Sequence, residues 1–63
     1  MKAYYDRNRK EYTFNAKDVK GMLEEVGIMK NTVIVVVNKD VVSEDYKFKE
    51  DDEIKILSVV SGG

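Results

Sequence analysis

Ile54-Lys55-Ile56-Leu57-Ser58-Val59-Val60-Ser61-Gly62-Gly63 closes this chain, and its reading decides the fold. Ile54 and Ile56 alternate with Lys55, the period of a half-buried strand, so the isoleucines face a core. Leu57 shares the outer parity with Lys55 and Val59, which sets an apolar side chain on the opposite face. The sequence then runs through Ser61 into Gly62 and Gly63 and ends on a carboxylate. Glycine loses more backbone entropy on ordering than any other residue, so a Gly-Gly end serves no core. It suits a terminus threaded, unobstructed by side chains, into the active site of another protein. The plainer alternative is a frayed end or an expression scar.

Working back from that strand, Lys49-Glu50-Asp51-Asp52 reads as a charged, solvated turn, and its carboxylates lack calcium-loop spacing. Tyr46 and Phe48 are placed to anchor the preceding loop to the core. Thr32-Val33-Ile34-Val35-Val36-Val37 is a strand with apolar groups on both faces, turning at Asn38-Lys39-Asp40 into a short return at Val41-Val42. With Val35 as its outward valine, Leu57, Val59 and Val35 form an apolar patch on the open side of a sheet. Such patches on small proteins mark interaction sites.

One helix precedes these strands. Val19, Met22, Leu23 and Val26 fall at i, i+3, i+4 and i+7, a continuous apolar stripe. Asn15 is the expected N-cap, with Asp18 near the positive end of the dipole, and Gly27 is the expected C-terminal glycine. Lys20 and Glu24 are spaced for an i,i+4 contact. Ahead of the helix, residues 1–6 and 11–15 read as a hairpin with Tyr12 and Phe14 facing inward. Its tip carries Arg7, Arg9 and Lys10, a solvated loop or a contact for an acidic partner.

Composition narrows the function classes. The chain has 63 residues, 37% of them charged, with a net charge of −1. That balance argues against nucleic acid as the main partner, because phosphate binding rests on a basic footprint. No apolar run approaches membrane-spanning length and no signal-peptide pattern opens the chain, so a cytoplasmic protein with no membrane role is expected. The chain has neither cysteine nor histidine, which removes the commonest zinc ligands and leaves no metal site in view. Ser43, Ser58 and Ser61 have no sequence partner to activate them, so no catalytic residue and no enzyme is expected.

The elements run hairpin, helix, then two or three strands: an α+β fold with one helix on one face of a mixed four- to five-stranded sheet. With the first and last strands adjacent at the centre, this is the ubiquitin-like β-grasp arrangement. Residues 1–60 make the single domain and 61–63 a flexible Gly-Gly tail. Residues 32–63 resemble the prokaryotic ubiquitin-like sulfur carriers, which include the thiamine-pathway carrier, the small subunit of molybdopterin synthase and the carriers for transfer-RNA thiolation. The likeness lies in the valine-rich strand closing on Asn38, the Val41-Val42 return, the Glu50-Asp51-Asp52-Glu53 turn, Ile54-Lys55-Ile56-Leu57 and Val59-Val60-Ser61-Gly62-Gly63. The helix from Ala16 to Gly27 and the hairpin fit in order and length. Many thiamine-pathway members carry glycine after the asparagine, where this chain has Lys39, which leaves the subfamily open.

The resemblance implies that a separate adenylating enzyme joins the Gly63 carboxylate to AMP from ATP, and that a sulfur donor then makes the thiocarboxylate. A synthase accepts the sulfur, with thiamine thiazole the first expectation and molybdopterin or transfer-RNA thiolation the others. Val60, Ser61, Gly62 and Gly63 would enter the partner's active site, and the patch would dock it. No bound cofactor is implied, ATP being used by the partner, and a monomer is expected. Two alternatives stand: a modifier whose activated Gly63 passes to lysines of other proteins, and a plain β-grasp interaction domain.

Overall fold

The structure, a computed structural model, describes residues 1–59. The tail residues Val60, Ser61, Gly62 and Gly63 lie outside them. In chain order the elements are β1 (Lys2–Tyr5), β2 (Lys10–Thr13), α1 (Val19–Val26), a 3-10 turn (Lys30–Thr32), β3 (Val33–Val37), β4 (Asp40–Val42) and β5 (Ile54–Ser58). The strands form one five-stranded sheet in the order β2-β1-β5-β3-β4. β1 and β5 pair in parallel, Ala3 opposite Ile54 and Tyr5 opposite Ile56, and the other pairs are antiparallel. The first and last strands are therefore neighbours at the centre, and the fold is an α+β ubiquitin-like β-grasp.

Alternation in β5 sets the two faces. Ile54 and Ile56 are buried with Ala3, Tyr5, Val33, Val35 and Val37 beneath Val19, Met22 and Leu23 of α1, and Phe14 seals the same core. Because Ile56 pairs with Val35 and Leu57 with Ile34, the register fixes which residues of β3 point inward. Val35 is 4% exposed and belongs to the core, so it is not part of the outer patch; Ile34, 38% exposed, and Val36 hold the outward positions. Five consecutive β-branched residues carry no alternation of their own, and only the pairing with β5 breaks the tie.

The helix begins at Val19, the first residue of the apolar stripe, later than a cap at Asn15 predicts. Residues 15–18 precede the helix instead, with Asp18 extended and bridged to Lys47 and the Phe48 N–H donating to the Lys17 carbonyl at 2.7 Å. Asp18, not Asn15, is the N-cap: its Oδ1 accepts from the Gly21 N–H at 2.7 Å. A Cβ on Gly21 would come within 2.9 Å of that same oxygen, so the glycine leaves room for the cap. The Asn15 and Ala16 amides donate to the Glu25 carboxylate at 2.9–3.0 Å, tying the approach segment to the last turn. The expected Lys20–Glu24 ion pair is absent among the described residues, where Lys30 and Glu44 pair at 2.8 Å.

The helix stops at Gly27, at φ +78°. Its N–H donates to the Glu24 carbonyl and that of Ile28 to the Leu23 carbonyl, a Schellman closure with Ile28 folded onto the core. Asn38 and Lys39, both at positive φ, turn β3 into β4 between Val37 and Asp40. Two such central residues define a type I′ hairpin turn, whose second position favours glycine.

Candidate functional site

The strand that leads to the tail occupies the middle of the sheet, and its end is gripped on both sides. On the β1 side the Asp6 N–H donates to the Ile56 carbonyl at 3.0 Å, and the Ser58 N–H donates to Asp6 Oδ1 at 2.8 Å. On the β3 side the Val59 N–H donates to the Thr32 carbonyl at 3.1 Å. Thr32 is itself fixed, its N–H and hydroxyl both donating to the Met29 carbonyl. Residues 60–63 follow in sequence from this hydrogen-bonded end of β5.

The face of the sheet turned away from α1 carries Tyr4, Lys55, Leu57, Ile34, Val36 and Val41. Leu57 lies directly opposite Ile34, and Val36 has Lys55 on one side and Val41 on the other. Val41 is 71% exposed and Val59 47%. Leu57 lies on this face, as the alternation of β5 predicts, with Ile34, Val36, Val41 and Tyr4 beside it in place of Val35, and Val59 follows the strand as an exposed residue. Lys55 and Glu53, 3.9 Å apart and both largely exposed, put a weak ion pair at the border of this apolar strip.

At the opposite end of the strands the acidic turn is knitted to the β3–β4 turn. Asn38 donates through Nδ2 to Asp52 Oδ1 at 2.8 Å and accepts from the Glu53 N–H at 2.9 Å. Asp52 Oδ2 accepts from the Lys49 N–H at 2.7 Å and the Tyr46 hydroxyl at 2.9 Å. The Lys49 amide, with the Tyr46 and Asn38 donors, holds the Asp52 carboxyl below the usual carboxylate range. The same contact, with burial, pushes the Tyr46 hydroxyl up. Of the residues in the expected charged turn, Asp52 is a structural clip rather than a solvated charge. Among the described residues no group of three or more acids is placed to hold a metal ion.

An apolar strip and a fixed exit point give another protein something to hold and something to reach. No helix among the described residues is long and apolar enough to cross a membrane. Val60, Ser61, Gly62 and Gly63, the residues expected to react or to be threaded, lie outside the described residues. Sequence reasoning misses Asp6, whose role as acceptor for a residue 52 positions away leaves no local signal.

Comparison with curated proteins gives no match. The model of the ThiS family matches residues 5–63, from the end of β1 through the final glycine. A match over nearly the whole chain, on a β-grasp sheet with its last strand at the centre, places the protein: it belongs to the ThiS family, whose members are small carrier proteins, and its role is that of a sulfur carrier.

Proposed function

We propose that Gly63 is the group that carries the sulfur. Its carboxylate attacks the α-phosphorus of ATP in the active site of an adenylating partner, and pyrophosphate leaves. Hydrosulfide then adds to the acyl carbon, and AMP departs with the electron pair of the broken C–O bond. One proton is released and a thiocarboxylate remains. The chain's own residues contribute recognition and presentation, and the chemistry belongs to the partner.

The observation that carries this reading is the gripped end of β5, with the tail following from Val59 beside an open apolar face. Binding through that face supplies affinity, while Gly62 and Gly63 give the reacting end a small cross-section and backbone freedom. Leu57, Ile34 and Val36 serve as the centre of the docking surface, with Val59 leading to the mouth of the partner's channel. The sulfur acceptor we assign is a synthase of thiamine thiazole formation, a reading supported by the family matched.

Pyrophosphate exchange into ATP, catalysed by the cognate activating enzyme, tests the role of Gly63. The chain ending at Gly63 should support exchange, and a chain with phenylalanine appended after Gly63 should not. Equal exchange by the two would remove Gly63 from the mechanism.

A further inference from the structure

We propose that Asp6 is a positioning residue that holds the end of β5 and so fixes the point from which the tail departs, an inference that rests on Gly63 being the activated group. The parallel ladder between β1 and β5 runs from Ala3 opposite Ile54 to Tyr5 opposite Ile56, and the Asp6 N–H closes it on the Ile56 carbonyl. The chain then leaves the sheet through the turn of residues 6–9, in which Arg9 takes φ +57°. The next donor of β5 on that side, the Ser58 N–H, has no strand carbonyl facing it. Asp6 Oδ1 stands in for that carbonyl at 2.8 Å.

The acceptor is a carboxylate, which makes a stronger bond to an amide than a neutral oxygen does. Across β5 the Thr32 carbonyl holds Val59, so the last described donors are gripped from two different elements. Of these grips only Asp6 acts through a side chain, and it alone can be removed without altering the backbone.

Four residues follow Val59 in the sequence, with a reach of at most about 14 Å at some 3.6 Å each. Release of β5 at Ser58 would move the point of departure by up to two residues, about 7 Å of chain. Reacting groups misplaced by about 1 Å can lose on the order of a hundredfold in rate. Holding Ser58 and Val59 to the sheet therefore keeps the carboxylate within a small search volume once the open face is docked.

A residue that only stabilised the fold would behave differently, because the carrier is here the substrate. Partial unfolding lowers the concentration of competent carrier and raises KM, leaving kcat at saturation unchanged. A misdirected tail on a docked carrier lowers kcat.

Steady-state pyrophosphate exchange with the cognate activating enzyme, run on the wild-type chain, Asp6→Ala and Asp6→Asn, separates these. Asp6→Ala should lose about tenfold in kcat with KM within about twofold, the loss expected for one charge-assisted hydrogen bond. Asp6→Asn, whose amide oxygen still accepts, should recover most of kcat. Amide exchange on the free proteins gives a partner-independent readout: Ser58 and Val59 should exchange faster in Asp6→Ala, and Ile56 and Val35 should not. Unchanged kcat in Asp6→Ala beside an active wild type overturns the Asp6 proposal alone, as does a loss confined to KM with faster exchange throughout the core. A wild-type chain that supports no exchange overturns the Gly63 reading, and this proposal with it.

Discussion

Ile56 and Leu57 are adjacent on β5, yet Ile56 is sealed beneath the helix while Leu57 stands half-open on the bare side of the sheet. The same division runs along β3, where Val33, Val35 and Val37 are buried and Ile34 and Val36 face outward. Residue type does not separate the two sets, since both are aliphatic and mostly β-branched. The helix does: α1 covers one face of the five strands and leaves the other to solvent. Apolar side chains on the uncovered face add nothing to the core and lower solubility, so their presence points to recognition. One parity of each central strand serves stability and the other, on the proposed function, meets a partner, and the tail continues from the strand where the two meet.

The contrast is broken most severely from the covered side. Ile56→Ala should cost about 2–5 kcal/mol through lost burial and the cavity left behind. A domain of this size has a total stability on the order of 3–9 kcal/mol, so much of the population should unfold in chemical denaturation. Leu57→Lys, one residue away, should leave stability within about 0.5 kcal/mol, as surface changes do. It should weaken capture by the activating enzyme by about 2 kcal/mol, the size of a loss at the centre of an interface. Equal destabilisation by the two substitutions would show that the faces are not divided as described.

Smaller changes sharpen the same division at the end of the sheet remote from the tail. Lys39 holds φ +73° in the β3–β4 turn, a conformation that costs a residue with a Cβ roughly 1–2 kcal/mol. Lys39→Gly should therefore raise the denaturation midpoint by an amount equivalent to about 1 kcal/mol and leave partner affinity unchanged. A shift in affinity would mean that the turn, too, is part of the docking surface.

The smallest expected effect is a pH dependence. The folded Asp52 carboxyl titrates below its unfolded value, so its contribution is fully present above the unfolded value of about 3.9. It is lost as pH falls through the folded value, because the unfolded chain takes up the proton first. Glu44, held low by the hydrogen bond and charge of Lys30, acts in the same direction. Asp52→Asn should flatten the acid limb of the stability–pH curve measured by urea denaturation; a limb as steep as in the wild type would remove Asp52 from this role.

Local periodicity makes much of this legible before any coordinates. The stripe of Val19, Met22, Leu23 and Val26, the alternation around Lys55 and the turn residues at Asn38 identify helix, last strand and hairpin. The positions that escape are those decided by long-range pairing. Asn15 looks like a cap, but Lys17 and Asp18 pair with the chain at Phe48 and Lys47, and the cap passes to Asp18. Val35 looks as suited to the outer face as Val36, and only the register with Ile56 assigns it to the core. Asp6 resembles any loop acid until Ser58 is seen beside it.

On the proposed function, sulfur travels on the carboxylate of Gly63. Intact mass of the protein after incubation with ATP, the cognate activating enzyme and sodium sulfide checks this. The predicted result is the mass gain of one oxygen replaced by sulfur, mapped to Gly63 by fragmentation. An unchanged mass beside demonstrated enzyme activity, or only conjugates carrying a Gly-Gly remnant on lysine, would contradict it.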